Sequence, residues 1–386
     1  MLAIINMKVY ADNAATACVD GKVMEAVGEA LMVDFGNPSS SHSVGRRARD
    51  RLELARREIA EVLGCCKDEI VFTSGGTEAN NLAIRGVARA NPEKRHIITS
   101  VIEHPCVLET VRELEKDGYE VDYVGVDSLG RVDVGDVERM IRDDTLLVSI
   151  MRVNNETGVV QDVEAIGRVC RGRGVLFHTD NVQGFLKKDL GLEFVDLMSV
   201  SGHKVCAPKG IGFLYVRDGV DLNPIITGGG QERGFRSGTE NVAGAVGLAA
   251  ALDVDFRIEE VRASRDIVCE GLRSIVGLKM NGDMENRVYN NLNFSVYGIE
   301  GEALMLLLSE EGIAVSTGSA CASGKLQGSY VLKEMGVGKM WLNGSIRMTF
   351  GVDVLGNEEY VVERVRECVE KLQKMSPFKF AGEASE

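Results

Sequence analysis

The chain has 386 residues, 45% hydrophobic and 26% charged, which suits one large domain or two moderate ones and excludes the disordered and fibrous classes. Its 44 basic and 58 acidic side chains leave a net charge of −14, which argues against direct nucleic-acid binding, since phosphates need a basic face. No apolar run reaches the roughly 18–20 residues of a membrane span, and the start lacks a signal peptide's charged, apolar and cleavage regions, so a cytoplasmic address is expected.

Residues 46–63 carry Ala48, Leu52, Ala55, Ile59 and Val62 at helical spacing, with Arg and Glu opposite, which predicts an amphipathic helix. Short runs rich in Val, Ile and Leu predict strands at 70–72, 96–99, 120–126, 146–150, 175–178, 197–200 and 211–216. Helical stretches at 78–90, 107–116 and 163–173 separate some of them. That alternation predicts an α/β fold with a mostly parallel sheet flanked by helices. Near Asp253 the pattern changes to a charged helix (254–274), a strand (289–294), a helix (302–311) and a final helix with Val361, Val365, Cys368, Val369 and Leu372 on one side. The expected division is a large domain over 17–255 and a smaller α+β domain from 1–16 and 256–386.

Nine cysteines without a CxxC pair read as reduced thiols, most of them small core side chains, with no locally built metal site. Glycine is the compositional signal: 44 of 386 residues, well above the usual ~7% and clustered in short loops, as where backbone approaches a ligand. One such loop, Thr73-Ser74-Gly75-Gly76-Thr77-Glu78, follows a strand and opens a helix. Its amides and the helix dipole suit a phosphate, although a plain strand–helix turn capped by Thr77 uses the same residues. A second constellation places Asp180 at the carboxyl end of one buried strand and Lys204 just beyond the next. In an open α/β sheet those ends line the ligand crevice. A buried Asp and Lys are costly unless paired or used, so the choice lies between a structural ion pair and a cofactor site. A pyridoxal phosphate site needs this set: a Schiff-base lysine, an acid against the ring nitrogen and a phosphate cup.

The segments Asp12-Asn13-Ala14-Ala15-Thr16, Phe35-Gly36-Asn37-Pro38-Ser39-Ser40, Thr73 to Asn81, Glu103-His104, Val153-Asn154-Asn155-Glu156-Thr157-Gly158, Ser201-Gly202-His203-Lys204, Arg236-Ser237-Gly238-Thr239 and Ser319-Ala320-Cys321 occur in family order and spacing. Together they resemble cysteine desulfurases of the NifS/IscS kind, class V aminotransferase-like enzymes of fold type I, from about residue 9 to about 376. The resemblance implies a fold-type I large domain with a seven-stranded sheet, and pyridoxal 5'-phosphate held as a Schiff base on Lys204. It implies that Asp180 pairs with the ring nitrogen, His104 stacks on the ring and moves protons, and Gln183 and Asn155 touch cofactor and substrate. Gly76, Thr77, Ser201 and His203 would hold the phosphate, with Thr239 reaching the site of a neighbouring subunit in a homodimer with shared active sites. Arg347, with Asn13 and Asn155, would bind the substrate L-cysteine.

Cys321 would be the sulfur-accepting nucleophile, set in a small, polar stretch without an apolar stripe. Its persulfide would pass to an iron–sulfur scaffold protein or, for tRNA thiolation, another acceptor. No metal takes part in the catalytic step, although Cys321 could ligate an iron–sulfur cluster during transfer. Selenocysteine lyase and a low-turnover scaffold partner presenting Cys321 are the alternatives. Departures from the family pattern are Cys206-Ala207 beside the lysine, Arg152, Asn181-Val182 and Gly328.

Overall fold

The structure is a computed structural model that describes residues 8–318 and 328–380. β1 (Val9–Tyr10), α1 (Gly21–Val33) and α2 (Ser43–Leu63) come first. β2 (Ile70–Thr73), α3 (Gly76–Ala90), β3 (His96–Ser100), α4 (Pro105–Lys116) and β4 (Glu120–Val124) follow. Next are α5 (Val134–Met140), β5 (Thr145–Ser149), α6 (Val163–Arg173), β6 (Leu176–Asp180), β7 (Leu197–Ser201) and β8 (Gly212–Val216). α7 (Val242–Ala250) and α8 (Ile258–Arg273) lead into β9 (Leu278–Met280), β10 (Asn291–Val296), α9 (Gly301–Glu310) and β11 (Ile313–Ala314). The last elements are α10 (Tyr330–Glu334), α11 (Lys339–Leu342), β12 (Ser345–Thr349) and α12 (Glu358–Met375).

Strands β2-β8-β7-β6-β5-β3-β4 form a seven-stranded sheet in that order. The neighbours from β7 through β4 pair in parallel, whereas β8 runs antiparallel to both β7 and β2. Successive side chains leave a strand on opposite faces, and both faces here are apolar. Ile98, Val148, Phe177, Val200 and Phe213 join one cluster with residues of α2, α5, α6 and α7. Ile97, Leu147, Leu197 and Leu214 join another with α3 and α4. Burial on both faces explains why the strands read as near-continuous apolar runs.

The strand order decides where ligands can go. β2, β3, β6 and β7 all point the same way, so Thr73, Ser100, Asp180 and Ser201 end on one edge. A third apolar cluster surrounds the antiparallel sheet β12-β10-β9 and includes Val9, Ala11, Leu272, Leu304 and Val365.

The sequence reading did not place α1, α5, α7, α10, α11, β1, β9, β11 or β12. α7 (Val-Ala-Gly-Ala-Val-Gly-Leu-Ala-Ala) is apolar all round because α1 and α2 cover it, so it shows no amphipathic stripe. β1 and β11 are two residues each and pair only with one another.

A buried ion pair ties the loop after β8 to this frame. Arg56 and Glu232, 2% and 5% exposed, meet through two bonds of 2.7 and 2.8 Å. Arg56 also donates to the Ile70 carbonyl, and Glu232 accepts the Phe72 N–H, so α2, β2 and the loop share one polar knot. Arg56 Nε also meets the partly exposed Glu53 at 3.1 Å, but removing Glu232 leaves both terminal nitrogens of the buried guanidinium without their carboxylate. Glu232→Ala should therefore cost about 3–5 kcal/mol in denaturant unfolding, and a loss below about 1 kcal/mol would contradict this role.

Candidate active site

The sheet edge gathers most of the predicted residues. β2 turns at Ser74 into Gly75, whose φ of 150° suits glycine, and α3 begins at Gly76 with no side-chain cap on its amides. A Cβ on Gly76 would lie 2.7 Å from Val182 Cγ2, and one on Gly75 would lie 3.5 Å from Ser201 Oγ. The glycines thus let the helix start sit directly against the ends of β6 and β7. An uncapped helix N-terminus beside Ser201 is a ready anion site.

Asp180 closes β6 at 5% exposure. Its Oδ2 accepts Asn80 Nδ2 at 2.7 Å and its Oδ1 accepts the Val182 N–H at 2.9 Å. The second N–H of the Asn80 amide reaches Cys106 Sγ at 3.1 Å, and that sulfur lies 2.9 Å from His104 Nδ1. His104 caps α4, with Pro105 at the helix start. Burial holds the His104 ring below the usual histidine range, opposed by the Asp180 charge and assisted by Lys204.

Lys204 follows β7 through a single turn of 3-10 helix, and its Nζ donates to the carbonyls of Ala14 and Ala15 at 2.6 and 2.7 Å. Gln183 Nε2 reaches the same Ala14 carbonyl at 2.9 Å, while its Oε1 accepts Lys187 Nζ at 3.4 Å. Lys187 is buried, and burial, reinforced by Lys204, brings its amine down to about 8. His203 Nδ1 sits 3.2 Å from Thr16 Oγ1, and burial and nearby lysines bring it down to about 4. Lys204 and Lys187 also line a cavity of about 700 Å³ with Tyr10, Tyr289 and Phe350.

Arg347 arrives from β12 at 4% exposure. Its fork is engaged on one side by Asp12 Oδ1 and on the other by the Asn155 carbonyl, each at 2.9 Å, while the buried Nε has no partner among the described residues. Asn155 Oδ1 is likewise buried and unmatched among them. Asn13 spends its amide nitrogen on the carbonyls of Tyr10 and Thr349, bracing this corner.

The fold therefore brings Gly76, Ser201, Asp180, His104, Lys204 and Gln183 to one edge. Thr239 lies exposed on the loop before α7. Ser319, Ala320 and Cys321 lie outside the described residues. Sequence reasoning assigned no role to Asn80, Asp12 or Lys187. Asn80 carried a usable signal, since it lies three residues after Thr77 and so shares its helix face.

The aminotransferase class-V family matches residues 9–358, and the chain belongs to that family, whose members depend in general on pyridoxal phosphate. It is 44% identical over 382 residues to cysteine desulfurase IscS of Dictyoglomus turgidum, covering 96% of this chain and 97% of that one. It is 45% identical over 381 residues to cysteine desulfurase IscS of Methanosarcina thermophila, covering 96% and 94%. Among solved structures, a NifS-like protein superposes with a TM-score of 0.89 at 38% identity, over 95% of this chain and all of that one. SspA in complex with cysteine gives 0.81 at 36%, over 89% and 98%.

Glu103, beside His104, is fully buried; one oxygen accepts Ser100 Oγ and the Met151 N–H, and the other has no partner among the described residues. Burial pushes it up to about 8, with the Asp180 charge adding to the rise. The folded state then holds a proton that the unfolded chain releases near its ordinary pKa, so stability falls as pH climbs from about 4.5 toward 8. Glu103→Gln should remove on the order of 1 kcal/mol or more of that decline in unfolding experiments at about pH 5 and pH 8. A decline of equal size in the variant would contradict the assignment.

Proposed function

We propose that the chain is a cysteine desulfurase that converts L-cysteine to L-alanine and carries the sulfur as a persulfide on Cys321. The acceptors would serve iron–sulfur cluster assembly or tRNA thiolation. One observation carries the reading: a buried acid and a lysine stand at adjacent strand ends beside an uncapped helix N-terminus.

These residues fit pyridoxal phosphate, with Asp180 for the ring nitrogen, the start of α3 with Gly76, Thr77, Ser201 and His203 for the phosphate, and Lys204 for attachment. When bound, the cofactor supplies an electron-withdrawing ring that spreads the charge left at the substrate α-carbon. Asp180, oriented by Asn80 and the Val182 amide, would hold the ring nitrogen's proton. Lys204 would move the proton at the α-carbon. Gln183 and Asn155 would orient cofactor and substrate, and Asn13 would frame the substrate end.

Arg347 would receive the substrate carboxylate. Its Asp12 and Asn155 contacts fix the orientation of the planar guanidinium and leave Nε to donate. The Cys321 thiolate would attack the substrate sulfur; an S–S bond forms and the C–S bond breaks. The released electron pair stays with the carbon, which then takes up a proton to become alanine's methyl group. His104 would supply or take protons beside this centre.

We further propose a homodimer with Thr239 reaching the phosphate of the neighbouring subunit's site. Residues 17–255 would move as one domain, and 1–16 with 256–386 as the other. A cytoplasmic location fits an enzyme that works through a reduced thiol. Among the described residues no disulfide joins the cysteines, and no helix is long and apolar enough to cross a membrane.

The test is alanine formed from L-cysteine and a thiol reductant by cofactor-loaded protein. Alanine should exceed the protein concentration, and Cys321→Ala should lower it by about 100-fold or more while keeping the cofactor's absorbance. Bound cofactor without alanine would overturn the reading, and alanine from selenocysteine alone would transfer it to a selenocysteine lyase.

A further inference from the structure

The His104 ring is fixed through one nitrogen. Its Nδ1 accepts the Cys106 backbone N–H at 3.2 Å, the ordinary duty of a residue capping a helix. A backbone N–H only donates, so in the neutral ring Nδ1 carries no proton and the proton sits on Nε2. The Cys106 sulfur approaches the same Nδ1 at 2.9 Å.

The direction of that contact follows from the sulfur's other neighbours. Asn80 Nδ2 lies 3.1 Å from Cys106 Sγ and can only donate to it, and the Thr77 hydroxyl also reaches it. The thiol's own hydrogen then goes to Nδ1, 2.9 Å away, because an unprotonated imidazole nitrogen is a stronger acceptor than the Thr77 hydroxyl. A close Cys–His pair also suggests a nucleophilic dyad, but a dyad needs a thiolate. Burial, aided by the Asp180 charge, pushes the Cys106 thiol up to about 12, so it keeps its proton through the neutral range. The charged groups facing His104 are Asp180 at the end of β6 and Lys204 after β7. Asn80 joins the first of these to the thiol, since its other N–H holds Asp180 Oδ2 at 2.7 Å.

We infer that Cys106 is a positioning residue: its thiol and its backbone N–H together hold His104 as the Nε2–H tautomer, so that the neutral ring offers the reaction a proton donor rather than a base. This deepens the proposed function and rests on it only for His104 serving that site.

Histidine-selective ¹⁵N labelling tests it on the cofactor-loaded full chain without substrate, and five histidines make assignment tractable. Wild-type His104 should give the nitrogen shifts of an Nε2–H ring. Cys106→Ala removes one donor to unprotonated Nδ1, so the pH at which the ring takes its second proton should rise by about 0.5 to 1. Cys106→Ser, which keeps a donor, should return it toward the wild-type value. An Nδ1–H ring in the wild type would overturn the inference, as would a Cys106→Ala midpoint equal to the wild type. Because no substrate is present, failure here leaves the desulfurase reading standing. Absence of alanine formation would in turn leave this assignment untouched.

Discussion

The buried carboxylate of Asp180 is the constraint around which the site is arranged. At 5% exposure it has lost most of its water and must recover that solvation from fixed dipoles. Asn80 from α3 and the Val182 amide supply two of them. To deliver Asn80, α3 must start tight against the ends of β6 and β7, which is why Gly76 sits where a side chain would collide with Val182, while Gly75 turns the chain at a φ of 150°. The same close approach aims the uncapped start of α3 at the crevice. A cost in burial and a site for an anion therefore have one structural origin.

The amine side is organised through backbone rather than charge. Lys204 and Gln183 meet on the Ala14 carbonyl, so the turn after β1 takes part in the site although it is distant in sequence. β12 completes that corner, with Arg347 reaching Asp12 and Asn155. Elements from both ends of the chain thus bracket residues presented by the large sheet.

Much of this was legible in the sequence. Six of the seven strands of the large sheet announce themselves because both faces are buried, the edge strand β4 being half exposed, and Asp180 and Lys204 stand out as charged residues at the ends of apolar runs. The resemblance then supplied roles that spacing alone left open, including those of His104 and Arg347. What stayed hidden depends on three-dimensional company. Asn80 looks like an ordinary helix polar residue until Asp180 is seen 2.7 Å away. Cys106, two residues after His104, reads from sequence as a thiol either in the core or near the ring, and only the cap geometry of α4 sets its sulfur against His104. Lys187 reads as a surface charge in Leu186-Lys187-Lys188-Asp189, yet it is buried beside Gln183 while Lys188 is exposed. α7 and the two-residue pairing of β1 with β11 carry too little periodicity to be recognised locally.

Two lysines now line one cavity beside the proposed cofactor site, and the account assigns attachment to only one of them. The most direct measurement is borohydride reduction of the cofactor-loaded protein followed by peptide mass mapping. The account predicts the pyridoxal phosphate mass on the peptide containing Lys204, and none on Lys187. Label on Lys187, or no covalent label on a protein that shows the bound cofactor's absorbance, would contradict it.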